Sequence, residues 1–271
     1  MLYFITTLAT AVSTPASIIR VPGGHAVPAS CITALNNRGT YNASAANHTF
    51  CDDTLDSPMI QIYAADVHLK SPEPLKSFTA DWVVPPEPKS YFGQVVYFWP
   101  GFKAMAPEMG YPVLQPVLQF GERGKKWEFQ SWFVDAKDRR FPVVTAPPID
   151  VKPGDKLTSF MSLSADGTMW TVSGTNKATG EDTTLNIKYT KAGATDYHYA
   201  MLVNENVNVN TRCERMPATT DGVTFTNVTV NGKALVGWTT RANCKGNPRC
   251  DCSNAASVDA EGDVTLSWKT E

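Results

Sequence analysis

The stretch from residue 94 to residue 135, QVVYFWPGFKAMAPEMGYPVLQPVLQFGERGKKWEFQSWFVD, limits the folds open to this chain more than any other. Three runs within it, residues 95–99, 111–120 and 127–134, are dense in aromatic and β-branched residues and are separated by Gly, Pro and charged residues. Such side chains suit a pleated, half-buried surface, so these runs are predicted to be strands joined by loops. Polar residues interrupt two of them. Gln115 and Gln119 alternate with apolar neighbours, and Gln130 and Ser131 lie between Phe129 and Trp132. Side chains two or four positions apart on a strand share a face, so Gln115 and Gln119 look out together with Val113 and Val117. An amide donates and accepts at one point, which beside aromatic rings is a means of binding or catalysis. Spacing alone favours the plainer expectation, a solvent-facing strand residue.

The rest of the chain repeats the pattern. Residues 59–69, 78–84, 160–164, 169–175, 183–189, 197–210, 223–230 and 264–268 read as further strands. Pro85-Pro86-Glu87-Pro88 stops one of them, because proline cannot donate to a ladder. Pro153-Gly154-Asp155 reads as a turn in which proline pre-sets one dihedral and glycine supplies a positive one. No segment has a helical period. About a dozen short strands with turn signals between them predict an all-β sandwich or barrel. With 271 residues, 42% of them hydrophobic, the chain can bury a full core as one unit, expected over residues 59–271. A net charge of -2 and a pI near 6.1 leave no basic footprint for nucleic acid. Neither a charge run nor a long apolar span points to a membrane.

Residues 1–16 are expected to be a signal peptide, apolar first and then small, with Ala9 and Ala11 in a small-x-small arrangement. Residues 17–58 read as an irregular arm. The six cysteines, Cys31, Cys51, Cys213, Cys244, Cys250 and Cys252, form an even set that suits an oxidising compartment, where three bridges allow fifteen connectivities. Cys31–Cys51 is one pairing that would tie the arm down. Cys-x-Cys with a further cysteine six residues upstream matches no standard zinc spacing, so a local disulfide knot is expected at the C-terminus and no metal. Sequons at Asn42, Asn47 and Asn227 add to the expectation of a secreted, extracellular monomer.

Common catalytic signatures are missing: there is no G-x-S-x-G elbow, no phosphate loop and no H-E-x-x-H. Nothing calls for a cofactor. Among the four histidines, His68 reads as a lone surface residue, while His198, between Tyr197 and Tyr199, has neighbours that suit a proton relay. Glutamates inside apolar runs are more informative, because an isolated buried carboxylate is costly. There are two, Glu128 and Glu205. Glu128 is expected to face solvent, and Glu205, amid asparagines, suits either face.

The order of segments resembles the eqolisin, or glutamic peptidase, family. Phe78-Thr-Ala-Asp-Trp-Val-Val-Pro85 is similar to its strand ending in V-P, and Val113-Leu-Gln-Pro-Val-Leu-Gln-Phe120 to its I-L-Q-T-G-V-D-F. Trp127-Glu-Phe-Gln-Ser-Trp-Phe-Val-Asp135 is similar to A-W-Y-E-W-Y-P-D, Ile149-Asp-Val-Lys-Pro-Gly-Asp155 to I-x-V-x-x-G-D, and Val223-Thr-Phe-Thr-Asn227 to V-T-F-T-N. The resemblance spans roughly residues 78–230 and implies a concanavalin A-like antiparallel β-sandwich of jelly-roll type. It also implies a Gln–Glu dyad, in which the glutamate activates water and the amide steadies the oxyanion. Gln115 stands at the family glutamine. The family's A-E-W-I-V-E aligns with Tyr199-Ala-Met-Leu-Val-Asn204, which puts Ala200 at the catalytic glutamate, and a small shift brings in Glu205. Gln119 replaces the acidic residue four positions after the glutamine.

Three functions compete. The first is a secreted acid endopeptidase using Gln115 and Glu205, its polypeptide substrate lined by Trp99, Gln119 and Trp132. The second is a non-catalytic sandwich that binds glycan or cell wall through exposed aromatic rings. The third is a polysaccharide lyase on the same fold, drawing on Tyr197, His198 and Tyr199.

Overall fold

Alternation becomes a two-sheet sandwich. The computed structural model describes residues 18–22, 25–43, 51–52, 61–104, 112–135, 140–141, 143–189, 196–210, 212–219, 221–234, 237–242 and 252–270. In chain order the first strands are β1 (Ile18–Val21), β2 (His25–Pro28), β3 (Ile32–Ala34), β4 (Gly39–Asn42), β5 (Cys51–Asp52), β6 (Gln61–Leu75), β7 (Ser77–Val83) and β8 (Val95–Lys103). Next come β9 (Val113–Gly121), β10 (Gly124–Val134), β11 (Arg140–Phe141), β12 (Val143–Thr145), β13 (Ile149–Val151), β14 (Lys156–Leu163), β15 (Met169–Asn176) and β16 (Asp182–Lys188). The last are β17 (Tyr197–Val207), β18 (Val223–Val230), β19 (Lys233–Ala234), β20 (Thr239–Arg241), β21 (Ala255–Val258) and β22 (Val264–Ser267).

Sheet I runs β20-β6-β17-β8-β9-β10-β12-β3, with β13 also on β10. Sheet II runs β21-β22-β18-β7-β14-β15-β16-β4, with β19 on β18. Pairing is antiparallel except where β3 and β4 join in parallel beside β12 and β16. The fold is therefore the expected all-β sandwich, and the three central runs are its strands β8, β9 and β10.

Between the sheets lies an aromatic core. Trp82 of β7 meets Phe129 of β10 edge-on at 5.3 Å, and Trp170 of β15 packs against Phe102 of β8 (5.5 Å) and Tyr197 of β17 (5.2 Å). Each such pair adds about 1 kcal/mol beyond the area it buries. Ser131 also points inward, where its hydroxyl donates to the Thr183 carbonyl at 2.7 Å and so ties sheet I to sheet II. The Pro153–Gly154 turn has the expected form: Gly154 sits at φ 89° and the Asp155 N–H donates to the Lys152 carbonyl at 3.0 Å.

Several expectations need correcting. The arm is more regular than its composition suggests, since β1 and β2 form a hairpin while β3 and β4 extend both sheets. The strand expected at residues 59–69 continues to Leu75, through Pro72 and Pro74. Against β17 it bulges there, because Tyr199 pairs with Lys70 but Tyr197 with Leu75. A bulge leaves residues outside the ladder, which is where proline is tolerated. At the C-terminus Cys252 is not in a local knot; it pairs with Cys213, 39 residues away. Residues 1–16, expected to be a signal peptide, the Asn47 sequon, Cys244, Cys250 and the Cys51 side chain lie outside the described residues. Asn42 and Asn227 are both exposed on sheet II.

Candidate functional site

The face of sheet I turned away from the core carries the residues singled out by sequence. A second apolar cluster lies there: Val95, Tyr97 and Trp99 of β8, Val113 and Val117 of β9, Trp132 and Val134 of β10, and Met201, Val203 and Val207 of β17, with Val21 and Val27 of the hairpin laid over them. Gln115, Gln119 and Glu205 alternate with members of this cluster and are fully buried, as are Trp99 and Trp132. All five candidate residues therefore share one face. The solvent-facing expectation for Gln115 and Gln119 gives way because a covering element exists that spacing cannot reveal.

Strand register sorts them into rows. Met201 pairs with Gly101, the Phe102–Leu114 pairing sets Gly101 beside Gln115, and Gln115 pairs with Trp132. Two rows away, Glu205 pairs with Tyr97, Tyr97 with Gln119 and Gln119 with Glu128. Four residues of strand separate the Gln115 row from the Glu205 row, roughly 14 Å. The row of Gln115 holds Met201 on β17, an apolar thioether, and Ala200 faces the main core. Trp99 occupies the row between and bridges the gap. Its indole N–H donates to Glu205 Oε2 at 3.0 Å, while its six-membered ring lies over Gly101. A β-carbon on Gly101 would stand 2.8 Å from that ring and 2.9 Å from the Leu114 carbonyl oxygen, so the close approach depends on glycine.

The hairpin strand lies across both rows and is held by its main chain. Gln115 Nε2 donates to the Pro22 carbonyl at 3.0 Å. The Tyr97 hydroxyl lies 3.0 Å from the Arg20 carbonyl oxygen and 3.2 Å from Glu122 Oε2, and the Arg20 N–H donates to Glu122 Oε1 at 3.0 Å. Burial raises the Glu122 carboxyl above its ordinary value. Burial and the nearby Glu122 and Glu205 charges push the Tyr97 phenol up well beyond its own. Three side chains of sheet I and its β9–β10 turn thus read the backbone of Arg20 and Pro22. In the first row, Gln115 Oε1 and Trp132 Nε1 are buried with no hydrogen-bond partner among the described residues.

Glu128, expected in solvent, is 2% exposed. Its carboxylate is paired with Arg123 Nη1 at 3.1 Å and Lys126 Nζ at 3.0 Å, and Gln119 Nε2 donates to it at 3.4 Å. One cation from the β9–β10 turn and one from the start of β10 make that burial tolerable. His68 is not alone: its Nδ1 lies 3.2 Å from Asp66 Oδ1, and Arg241 Nε donates to Asp66 Oδ2 at 2.9 Å. The Tyr197–His198 pair separates, with Tyr197 in the main core and His198 Nδ1 3.0 Å from the Ser71 carbonyl oxygen. Sequence reasoning missed Tyr97 and Glu122. Tyr97 was within reach, since it alternates with Val95 and Trp99; Glu122 sits in a turn, where no periodicity marks it.

No protein-family model matches the sequence, and no curated protein matches it. Among solved structures the chain is similar to SCP-B, a member of the eqolisin family of peptidases in a complex with the tripeptide Ala-Ile-His, at 14% identity and a TM-score of 0.53, covering 77% of this chain and 100% of that one. It is equally similar to scytalido-glutamic peptidase with a peptide-based transition-state analogue, at 14% identity, a TM-score of 0.53 and the same coverage. The likeness is one of fold, and it agrees with the family resemblance of the sequence segments.

Proposed function

We propose that this chain is a secreted eqolisin-like protein whose outer face on sheet I grips polypeptide backbone. The Gln115 amide on the Pro22 carbonyl carries the reading. The residue at the family's glutamine position donates to a peptide carbonyl, and Tyr97 and Glu122 hold the main chain two residues upstream. Contacts to main-chain groups hold a strand whatever its side chains, which is how extended peptides are bound. Binding without cleavage is the form that the geometry favours, because Met201 rather than a carboxylate shares the row of Gln115, and Glu205 is two rows away on the Trp99 indole. Glycan binding has less support, since Trp99 and Trp132 are buried and present no ring to solvent.

An acid endopeptidase is kept as the second reading because Gln115 and a buried Glu205 share a face. One experiment separates the two. The full chain carrying Val21→Asp, which places a charge against the apolar cluster and frees the face, is incubated with denatured casein across roughly pH 2–7. Retention of casein without fragments is expected. Fragments at acid pH that vanish when Glu205→Gln is added would establish the endopeptidase instead. A folded variant that neither retains nor cuts casein refutes the polypeptide reading altogether.

A further inference from the structure

Arg20 and Val21 end strand β1 and Pro22 follows in the turn, and the three kinds of contact they make define a ligand. Val21 is fully buried in the cluster with Trp99 and Val117. The carbonyls of the residues on either side of it are taken by Tyr97 and Gln115. The N–H of Arg20 is taken by Glu122. The apolar pocket therefore receives one β-branched side chain, and the polar groups receive the main chain before and after it. Proline suits the last position, because its carbonyl is used there and it has no N–H to leave unpaired.

We infer that the outer face of sheet I is a receptor for a polypeptide in which a β-branched residue precedes proline, and that Arg20–Pro22 occupies it in cis, so that a second polypeptide of the same chemistry binds when the hairpin lifts. The inference rests on the polypeptide-binding reading above and adds to it the occupant and its competitor. A second observation points to a ligand in the same place. Gln115 Oε1 and Trp132 Nε1, an acceptor and a donor on paired residues, are both buried and unpartnered among the described residues. A peptide unit offers the matching N–H and C=O, so an incoming chain that extends past proline can satisfy groups that the hairpin leaves unmet. A tethered occupant acts at an effective concentration on the order of millimolar, so a free peptide competes poorly until the tethered one is weakened.

The test uses the full chain and a labelled peptide with the sequence of residues 18–23, Ile-Ile-Arg-Val-Pro-Gly. Its binding is followed by fluorescence anisotropy to the native protein, to Val21→Asp and to Arg20→Pro, which removes the N–H given to Glu122. Circular dichroism reports the fold of each, and Arg20→Pro serves if Val21→Asp does not fold. The peptide is expected to bind either hairpin variant at least about tenfold more tightly than the native protein. Adding Gln115→Ala should remove most of that gain. A peptide in which Val is replaced by Asp should not bind. If the variants retain casein but ignore this peptide, the cis-occupant inference fails while the polypeptide reading stands. If they bind neither, both fail. Equal affinity for native and variant proteins means that the hairpin does not compete, and it too overturns the inference.

Discussion

Trp99 is the side chain through which the two halves of the face communicate. It lies over Gly101 in the Gln115 row and donates to Glu205 two positions further on. A buried carboxylate that loses a donor bears more of its desolvation cost, whereas replacing both partners by apolar groups of the same shape is close to neutral. Trp99→Phe keeps an aromatic side chain but deletes the N–H and part of the buried indole volume, and is expected to destabilise the fold by at least about 2 kcal/mol in urea unfolding. Trp99→Phe combined with Glu205→Leu should recover the part of that loss that comes from the unpaired carboxylate. Recovery marks the pair as part of the packing of this face; a double variant as weak as the sum of the singles would show that Glu205 is held chiefly by other groups.

At the scale of elements, the strands at the centre of sheet I were legible because aromatic and β-branched residues crowd them, and β8, β9 and β10 lie where composition puts them. Which face each polar residue took was not. Gln115 and Glu128 are polar at strand spacing, so they read as solvent-facing; what accommodates them is a hairpin far away in sequence for the one and, for the other, the cations Arg123 of the β9–β10 turn and Lys126 of β10. The hairpin itself escaped notice because four-residue strands beside Pro and Gly have too short a period to register. Disulfide pairing was equally illegible, since Cys213 and Cys252 are separated in the chain by β18, β19 and β20. Closing that 39-residue loop is worth about 4 kcal/mol in the chain-entropy account. Cys213→Ser should therefore lower the melting temperature by about 10 °C in a chain of this size, as read by calorimetry under non-reducing conditions. An unchanged melting temperature would mean that the bridge does not form in the native protein.

Over the whole molecule, acid acts in opposite directions on the two sheets. On sheet II, burial raises the Asp81 carboxyl, but hydrogen bonds from Lys177, Thr158 and Asn227 and the Lys177 charge outweigh it and leave it below its ordinary value. Asp182 is lowered in the same way, with Thr184, Arg38 and Asn37 overcoming its burial. Groups lowered in the folded state stabilise it above their unfolded pKa, and that contribution is lost as the pH falls through the folded one. Glu122 has the reverse sign. Burial raises its carboxyl, so its contribution is full below the ordinary carboxylate value and is lost as the pH rises through the raised one. Its neighbours oppose the shift without cancelling it: the Arg20 N–H and charge, the Tyr97 hydroxyl and the Arg123 charge all favour the charged carboxylate. Glu205, the other carboxylate near Tyr97, also disfavours extra negative charge there. Between pH 7 and about pH 4 the hairpin should thus gain protection while β7 and β16 keep theirs, and below about pH 4 β7 and β16 lose it. Hydrogen exchange, corrected for the intrinsic rate at each pH, measures this directly at the Arg20 and Val21 amides against those of β7. Loss of protection at the hairpin first would mean that Glu122 is charged when docked, and that its hold on Arg20 weakens with acid instead.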